Sequence, residues 1–275
     1  WPNALAELTL IQSGFTGDLG AATFPAQLRV LQVYDVSVSG DIDAIQFPPN
    51  LVSLALNLFP LTGNIHQATF PDSLQDMNLM NTQVGGDIGA TNLPASLLYL
   101  SLEETNIGGD ISQTVWPPGL ENLIVYRTNV GGPIDQVNWP DTLRRISLDN
   151  TNLTGDIGAA NFPAGLVVLG LRHTSVAGNI AQATFPDGIY SLGLNHTNIS
   201  GDLSLVNWPA QLEDLALQNT LVGGDLGGVV FPEPLWRLNL GYTAVTGDIN
   251  MLSNWVISVV FLNHTDVYGT FAFRY

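Results

Sequence analysis

An aromatic residue or leucine followed by proline recurs along the chain at Trp1-Pro2, Phe24-Pro25, Phe47-Pro48, Phe70-Pro71, Leu93-Pro94, Trp116-Pro117, Trp139-Pro140, Phe162-Pro163, Phe185-Pro186, Trp208-Pro209 and Phe231-Pro232, always 23 residues on. A last, degenerate copy begins near Ser253, one residue early, so twelve units fill 275 residues with no linker and no insertion. A unit this short cannot bury its own apolar face, so neighbouring units must stack, and a period in the twenties means a solenoid. Counting the aromatic as position 1, the unit reads F-P-x-x-L-x-x-L-x-L-x-x-T-x-V-x-G-D-I-x-x-A-x. Its L-x-L segment, as at Leu100/Leu102, Leu169/Leu171 and Leu215/Leu217, alternates with period two and predicts a short strand with both leucines facing inward. Proline at position 2 and glycine at position 17 punctuate the coil. At about 4.7–4.9 Å per strand, twelve coils predict a rod roughly 55–60 Å long around a parallel inner sheet.

Composition narrows the class. With 45% hydrophobic and 11% charged residues the chain is globular rather than disordered. Its formal net charge is −17, which sets most of the surface against nucleic acid and anionic membranes. No 18-residue apolar run exists, so membrane insertion is not expected. The absence of cysteine excludes disulfides and thiolate metal sites. A start at Trp1 rather than Met predicts a processed or truncated piece. The sequons at Asn152, Asn195, Asn198 and Asn263 point outside the cell, but about three would arise by chance in a chain this rich in Asn, Ser and Thr.

The repeat resembles the leucine-rich repeat family across essentially the whole chain. The family core L-x-x-L-x-L-x-x-N-x-L appears as LLYLSLEETNI from Leu97 and as LEDLALQNTLV from Leu212, with Thr in place of Asn at Thr82, Thr105, Thr128, Thr151, Thr174, Thr197, Thr220, Thr243 and Thr265. The G-D-I tail is similar to that of plant-type repeats without their proline. The resemblance implies an α/β-type repeat solenoid, mostly β and irregular, with a second short strand around Thr16–Leu19 and its equivalents. A right-handed parallel β-helix is the alternative. Residues 1–275 read as one leucine-rich repeat domain without the usual capping units.

Asp occupies position 18 in eight coils: Asp18, Asp41, Asp87, Asp110, Asp156, Asp202, Asp225 and Asp248. A stacked column of carboxylates suits a calcium ion. A turn cap fits better, because Asn64 and Asn179 substitute for Asp and Pro133 interrupts the column. No metal or cofactor site is expected. The Thr column at position 13 points inward in this register, and its outward neighbours are irregular, which argues against an ice-binding face.

Binding is expected on the strand residues that face outward. Position 9 is mostly small, as at Ala55, Ser101, Ser147, Gly170, Gly193 and Ala216, while positions 7 and 11 are bulkier. All seven basic residues are arginines, and six of them, Arg29, Arg127, Arg144, Arg145, Arg172 and Arg237, lie in or beside the strand segment. Arg and Tyr are enriched at interaction hot spots, so Tyr99, Glu103, Tyr126, Arg127, Arg145, Asp149, Arg172, His173 and His196 form the candidate binding set. The alternative is that the arginines pair with neighbouring carboxylates as solvated ion pairs of little worth. Glu103 and Asp149, two coils and about 10 Å apart, make a poor glycosidase pair, and no nucleophile or phosphate-loop motif is present, so no catalytic residue is expected. At the far end Phe261, Phe271, Phe273 and Tyr275 make the last coil unusually apolar and predict a contact with a neighbouring subunit or a larger assembly. The expected function is a non-catalytic module binding a protein or a glycan, outside the cell or at its surface. A rigid structural spacer is the alternative, and a polysaccharide-acting enzyme or an ice-binding protein are weaker readings.

Overall fold

The computed structural model describes residues 1–250 and 257–269. It divides into two compact units, Trp1–Gly132 with Val137–Asn152, and Pro133–Gln136 with the chain from Leu153 onward. In the first unit seven parallel inner strands, Glu7–Ile11, Val30–Tyr34, Ser53–Asn57, Asp76–Asn78, Tyr99–Ser101, Asn122–Ile124 and Arg145–Ser147, pair in chain order. Each step pairs residues one period apart, as Leu31 with Leu54 and Leu100 with Leu123. In the second unit Val168–Gly170, Ser191–Gly193, Asp214–Ala216, Arg237–Asn239 and Val259–Phe261 pair the same way. The last step pairs Leu238 with Val260, one residue short of the period, as the early-running final copy requires.

Each coil follows one itinerary. After the inner strand the chain turns a corner and runs through a second parallel strand. Asn106–Asp110 lies between Gly85–Asp87 and Asn129–Pro133 in the first unit, and Asn198–Asp202 between Ala177–Asn179 and Leu221–Asp225 in the second. A short 3-10 turn such as Ile111–Gln113 follows, and a proline turn closed by a bond such as Leu97 N–H to Pro94 O at 3.1 Å leads into the next strand. This is the leucine-rich repeat solenoid expected from the L-x-x-L-x-L core, with its second short strand.

The consensus positions build the interior. In one coil Leu97, Leu100, Leu102, Ile107 and Ile111 are at most 1% exposed, each burial contributing about 1.5–3 kcal/mol. The position-1 aromatics stack between coils, Phe47 on Phe70 at 5.6 Å and Trp116 on Trp139 at 6.0 Å. The inward threonines each donate their hydroxyl to the carbonyl three residues earlier, as Thr105 to Leu102 at 2.7 Å and Thr174 to Leu171 at 2.8 Å, which satisfies a buried acceptor at the corner.

The aspartate column is a column of caps. Asp87 Oδ1 accepts from Gly89 N at 2.8 Å, and Asp18, Asp110, Asp156, Asp202, Asp225 and Asp248 do the same two residues on. Asn64 and Asn179 cap in the same way. In the two coils where position 18 does not cap, an aspartate at position 20 binds the next coil instead. Asp43 accepts from Asn64 N and Asp135 from Asp156 N, both at 3.0 Å. Position 17 is glycine for two reasons: Gly109 holds φ +96°, and a Cβ there would overlap Asp87 Oδ1 of the preceding coil.

Candidate functional site

The alternation of the inner strand fixes which side chains reach solvent. Leu102, Leu148 and Leu171 are fully buried, while Tyr99, Arg145 and Arg172 lie half-buried on the opposite face. In the first unit this outward face carries Tyr99 and Arg145 at position 7 and Glu103, Tyr126 and Asp149 at position 11, over the small residues Ser101 and Ser147. Burial raises the pKa of Tyr99, with the Arg145 charge acting against it. Burial also raises Glu103, offset by a hydrogen bond from Tyr126 and reinforced by the Glu104 charge. Asp76, on the same face two strands before Asn122, is raised by burial alone. Arg29, Arg144 and Arg145 make no ion pair with any described residue. Arg127 does pair, with Glu104, while its side chain remains 63% exposed, so that pair is worth little.

In the second unit the Arg172 guanidinium lies over Gly193 of the next strand. A Cβ on Gly193 would collide with its Nε, so the glycine at position 9 is what admits the guanidinium. Arg237 Nη1 pairs with Asp214 Oδ2 at 3.2 Å. His173 and His196 stack with ring centroids 4.0 Å apart, and burial first, then the His173 charge, lowers the His196 pKa.

The structure separates the candidate set into two groups. Tyr99, Glu103, Tyr126, Arg145, Asp149 and Arg172 occupy positions 7 and 11 of the inner face. Arg127, His173 and His196 stand one residue further on, at position 12, where the backbone is left-handed: φ is +55° at Arg127 and His173 and +56° at His196. Among the described residues twelve non-glycine positions, one per coil from Gln12 to His264, share this conformation. Their side chains form ladders along the corner: Gln12 to Asp35, Asn81 to Glu104, Glu104 to Arg127, His196 to Asn219, and Tyr242 stacked on His264. Sequence reasoning missed Glu104, Asn81 and Asn219 as members of this ladder. The signal was present, because seven of the twelve are Asn, Asp or His, the residues that tolerate this conformation best. Phe261 is 43% exposed on the inner strand Val259–Phe261. Phe271, Phe273 and Tyr275 lie outside the described residues.

No protein-family profile and no curated protein sequence matches the chain. Solved structures do. The plant peptide hormone receptor RGFR1, in complex with RGF2, superposes with a TM-score of 0.72 at 20% identity over 96% of this chain and 48% of its own. An internalin from Listeria monocytogenes superposes with a TM-score of 0.70 at 14% identity over 99% of this chain and 88% of its own. A plant ice-binding protein gives a TM-score of 0.59 at 18% identity over 92% and 80% of the two chains. The chain thus spans about half the length of the plant receptor it matches, and what it shares with all three is the leucine-rich repeat fold.

Proposed function

We propose that the chain is a non-catalytic, polypeptide-binding leucine-rich repeat module acting outside the cell or at its surface, with the outward face of the inner strands as its contact surface. One observation carries this reading: in a chain of net charge −17, Arg145 stands on that face with no ion pair to a described residue, beside Tyr99. A half-buried guanidinium next to an aromatic ring is a ready anchor for a carboxylate or a backbone carbonyl. The receptor RGFR1, solved in complex with RGF2, supports a polypeptide as the ligand class. The exposed Phe261 supports a further contact with a neighbouring subunit. The test is selection of a displayed peptide library on the immobilised chain, followed by titration of the best peptide against variants. Arg145→Ala and Tyr126→Ala should each weaken it by more than about 1 kcal/mol, whereas Gln113→Ala and Gln182→Ala on the outer turn should not. Equal, negligible effects from both pairs would refute the inner face as the contact surface and leave a structural spacer as the better reading.

A further inference from the structure

In the third coil the pattern breaks at the corner. Positions 12 to 14 read Leu58-Phe59-Pro60, where the fifth coil reads Glu104-Thr105-Asn106. Leu58 holds φ +60°, a conformation disfavoured for branched side chains, and it is also 45% exposed. The left-handed turn itself belongs to the corner of every coil; what sets this coil apart is that the corner is filled by an exposed leucine rather than by the Asn, Asp or His that tolerate it best. The chain leaves the corner through a tight turn in which Leu61 N bonds to Phe59 O at 2.7 Å, and the second strand shrinks to Leu61–Thr62.

Beside this turn lies a cavity open to solvent, of about 550 Å³, lined by Asp35, Leu58, Phe59, Pro60, Asn81, Thr82 and Gln83. Leu58 and Pro60 form an apolar wall. Asp35 has one carboxylate oxygen engaged by Gln12 at 3.2 Å, which leaves the other as an acceptor. The Asn81 amide nitrogen donates to Glu104 at 3.1 Å, which leaves its carbonyl oxygen as a second acceptor. No basic residue lines the cavity.

We propose that this cavity receives an arginine or lysine side chain of a polypeptide partner. The alkyl stem packs on Leu58 and Pro60, the cationic head binds Asp35 and Asn81 Oδ1, and the Gln83 amide meets the partner's peptide groups. Charge complementarity supports this occupant: one carboxylate, Asp35, and no base in the lining, on a chain of net charge −17, attract cations and repel anions. The site stands apart from the inner face, so its success or failure does not depend on that reading.

The experiment is NMR titration of the isotopically labelled chain with the blocked tetrapeptide acetyl-Gly-Leu-Arg-Gly-amide and with its citrulline isostere, which keeps shape and loses charge. The arginine peptide should shift the Leu58 methyl and Asn81 side-chain amide signals saturably, and the citrulline peptide should bind about tenfold more weakly, the scale of one charge-assisted bond. Asp35→Asn should abolish that difference. Leu58→Gly should raise the melting temperature by relieving the left-handed strain, yet weaken the arginine peptide several-fold, which a purely structural role for Leu58 does not predict. Equal binding of the two peptides, shifts remote from the third coil, a preference that survives Asp35→Asn, or no saturation would each overturn the proposal. So would agmatine binding as tightly as the peptide, since the occupant would then be a small free guanidinium compound rather than a polypeptide.

Discussion

The contact between Asp87 and Gly109 sets up a double-mutant test of how successive coils interlock. Gly109 holds φ +96°, and a Cβ there would overlap the oxygen with which Asp87 accepts from Gly89 N. Gly109→Ala therefore carries two costs. The backbone conformation costs about 1–2 kcal/mol, and displacing the carboxylate from its amide forfeits about 1.5–3 kcal/mol. Their sum, about 2.5–5 kcal/mol, corresponds to a melting-temperature drop of roughly 5–20 °C for a chain of this size. The adjacent Gly108 is an internal control, because its φ is ordinary and an added Cβ would meet nothing nearer than 3.4 Å. Gly108→Ala should change stability by less than about 1 kcal/mol. Asp87→Ala alone should cost about 1.5–3 kcal/mol, because it forfeits the same charge-assisted bond. In the double variant the overlap with the carboxylate is gone, although the added Cβ still approaches Ile88 N to 3.0 Å, so its cost should fall short of the sum of the singles by about 1.5–3 kcal/mol. Urea unfolding followed by circular dichroism measures all four, and amide exchange at Gly89 reports the cap directly. Strict additivity, or equal losses from Gly108→Ala and Gly109→Ala, would refute the interlock.

Thr128 donates its buried hydroxyl to Val125 O at 2.8 Å, so Thr128→Val should lose about 1 kcal/mol in urea unfolding by stranding that carbonyl, and an unchanged midpoint would contradict it. Leu171 is fully buried, and Leu171→Ala should cost about 2–5 kcal/mol through the cavity it leaves, again read from the urea midpoint. His196 has a folded pKa lowered from 6.5 by burial and by His173, so below pH 6.5 the unfolded chain binds the proton first. The wild type should therefore lose stability relative to His196→Gln as pH falls from about 7.5 to about 5, and parallel melting curves across that range would show that the stack does not couple to the proton.

The fold was legible because its determinants are periodic. Leucines at positions 5, 8 and 10 must face inward in every coil, and the 23-residue step dictates which residues pair. Even the irregular last step, Leu238 to Val260, was visible as a proline-less copy running one residue early. What periodicity conceals is direction at the corner. Pooling Arg127, His173 and His196 with Tyr99 and Arg145 treats position 12 as a continuation of the strand. The chain instead enters the left-handed region there, and side chains at positions 11 and 12 diverge. The Asn, Asp and His preference at position 12 encodes that turn, but Leu58, Arg127 and Tyr242 dilute it. The cavity at the third coil was illegible for a different reason, since it arises from three consecutive departures whose joint geometry no single residue announces.

The interruptions of the aspartate column show how such departures are absorbed. Pro133 has no side-chain oxygen, and Asp41 makes no cap although it has one. Their coils carry Asp135 and Asp43 at position 20, and there alone the carboxylate reaches forward to the backbone of the next coil, at Asp156 N and Asn64 N. The glycine of that next coil meets the substitute in the same way, since a Cβ on Gly63 would collide with Asp43 Oδ1 and one on Gly155 with Asp135 Oδ1. The constraint therefore belongs to the space between coils rather than to position 18: one carboxylate or amide oxygen of the preceding coil fills the notch over each position-17 glycine from Gly40 onward, and either of two positions can supply it. Moving the oxygen, by Pro133→Asp with Asp135→Gly, should leave stability within about 1 kcal/mol of the wild type, whereas Asp135→Gly alone should cost about 1.5–3 kcal/mol by emptying the notch and forfeiting a charge-assisted bond with none gained in its place. Urea midpoints of the two variants decide between a notch that can be filled from either side and a site-specific role for Asp135, which the double substitution would fail to rescue.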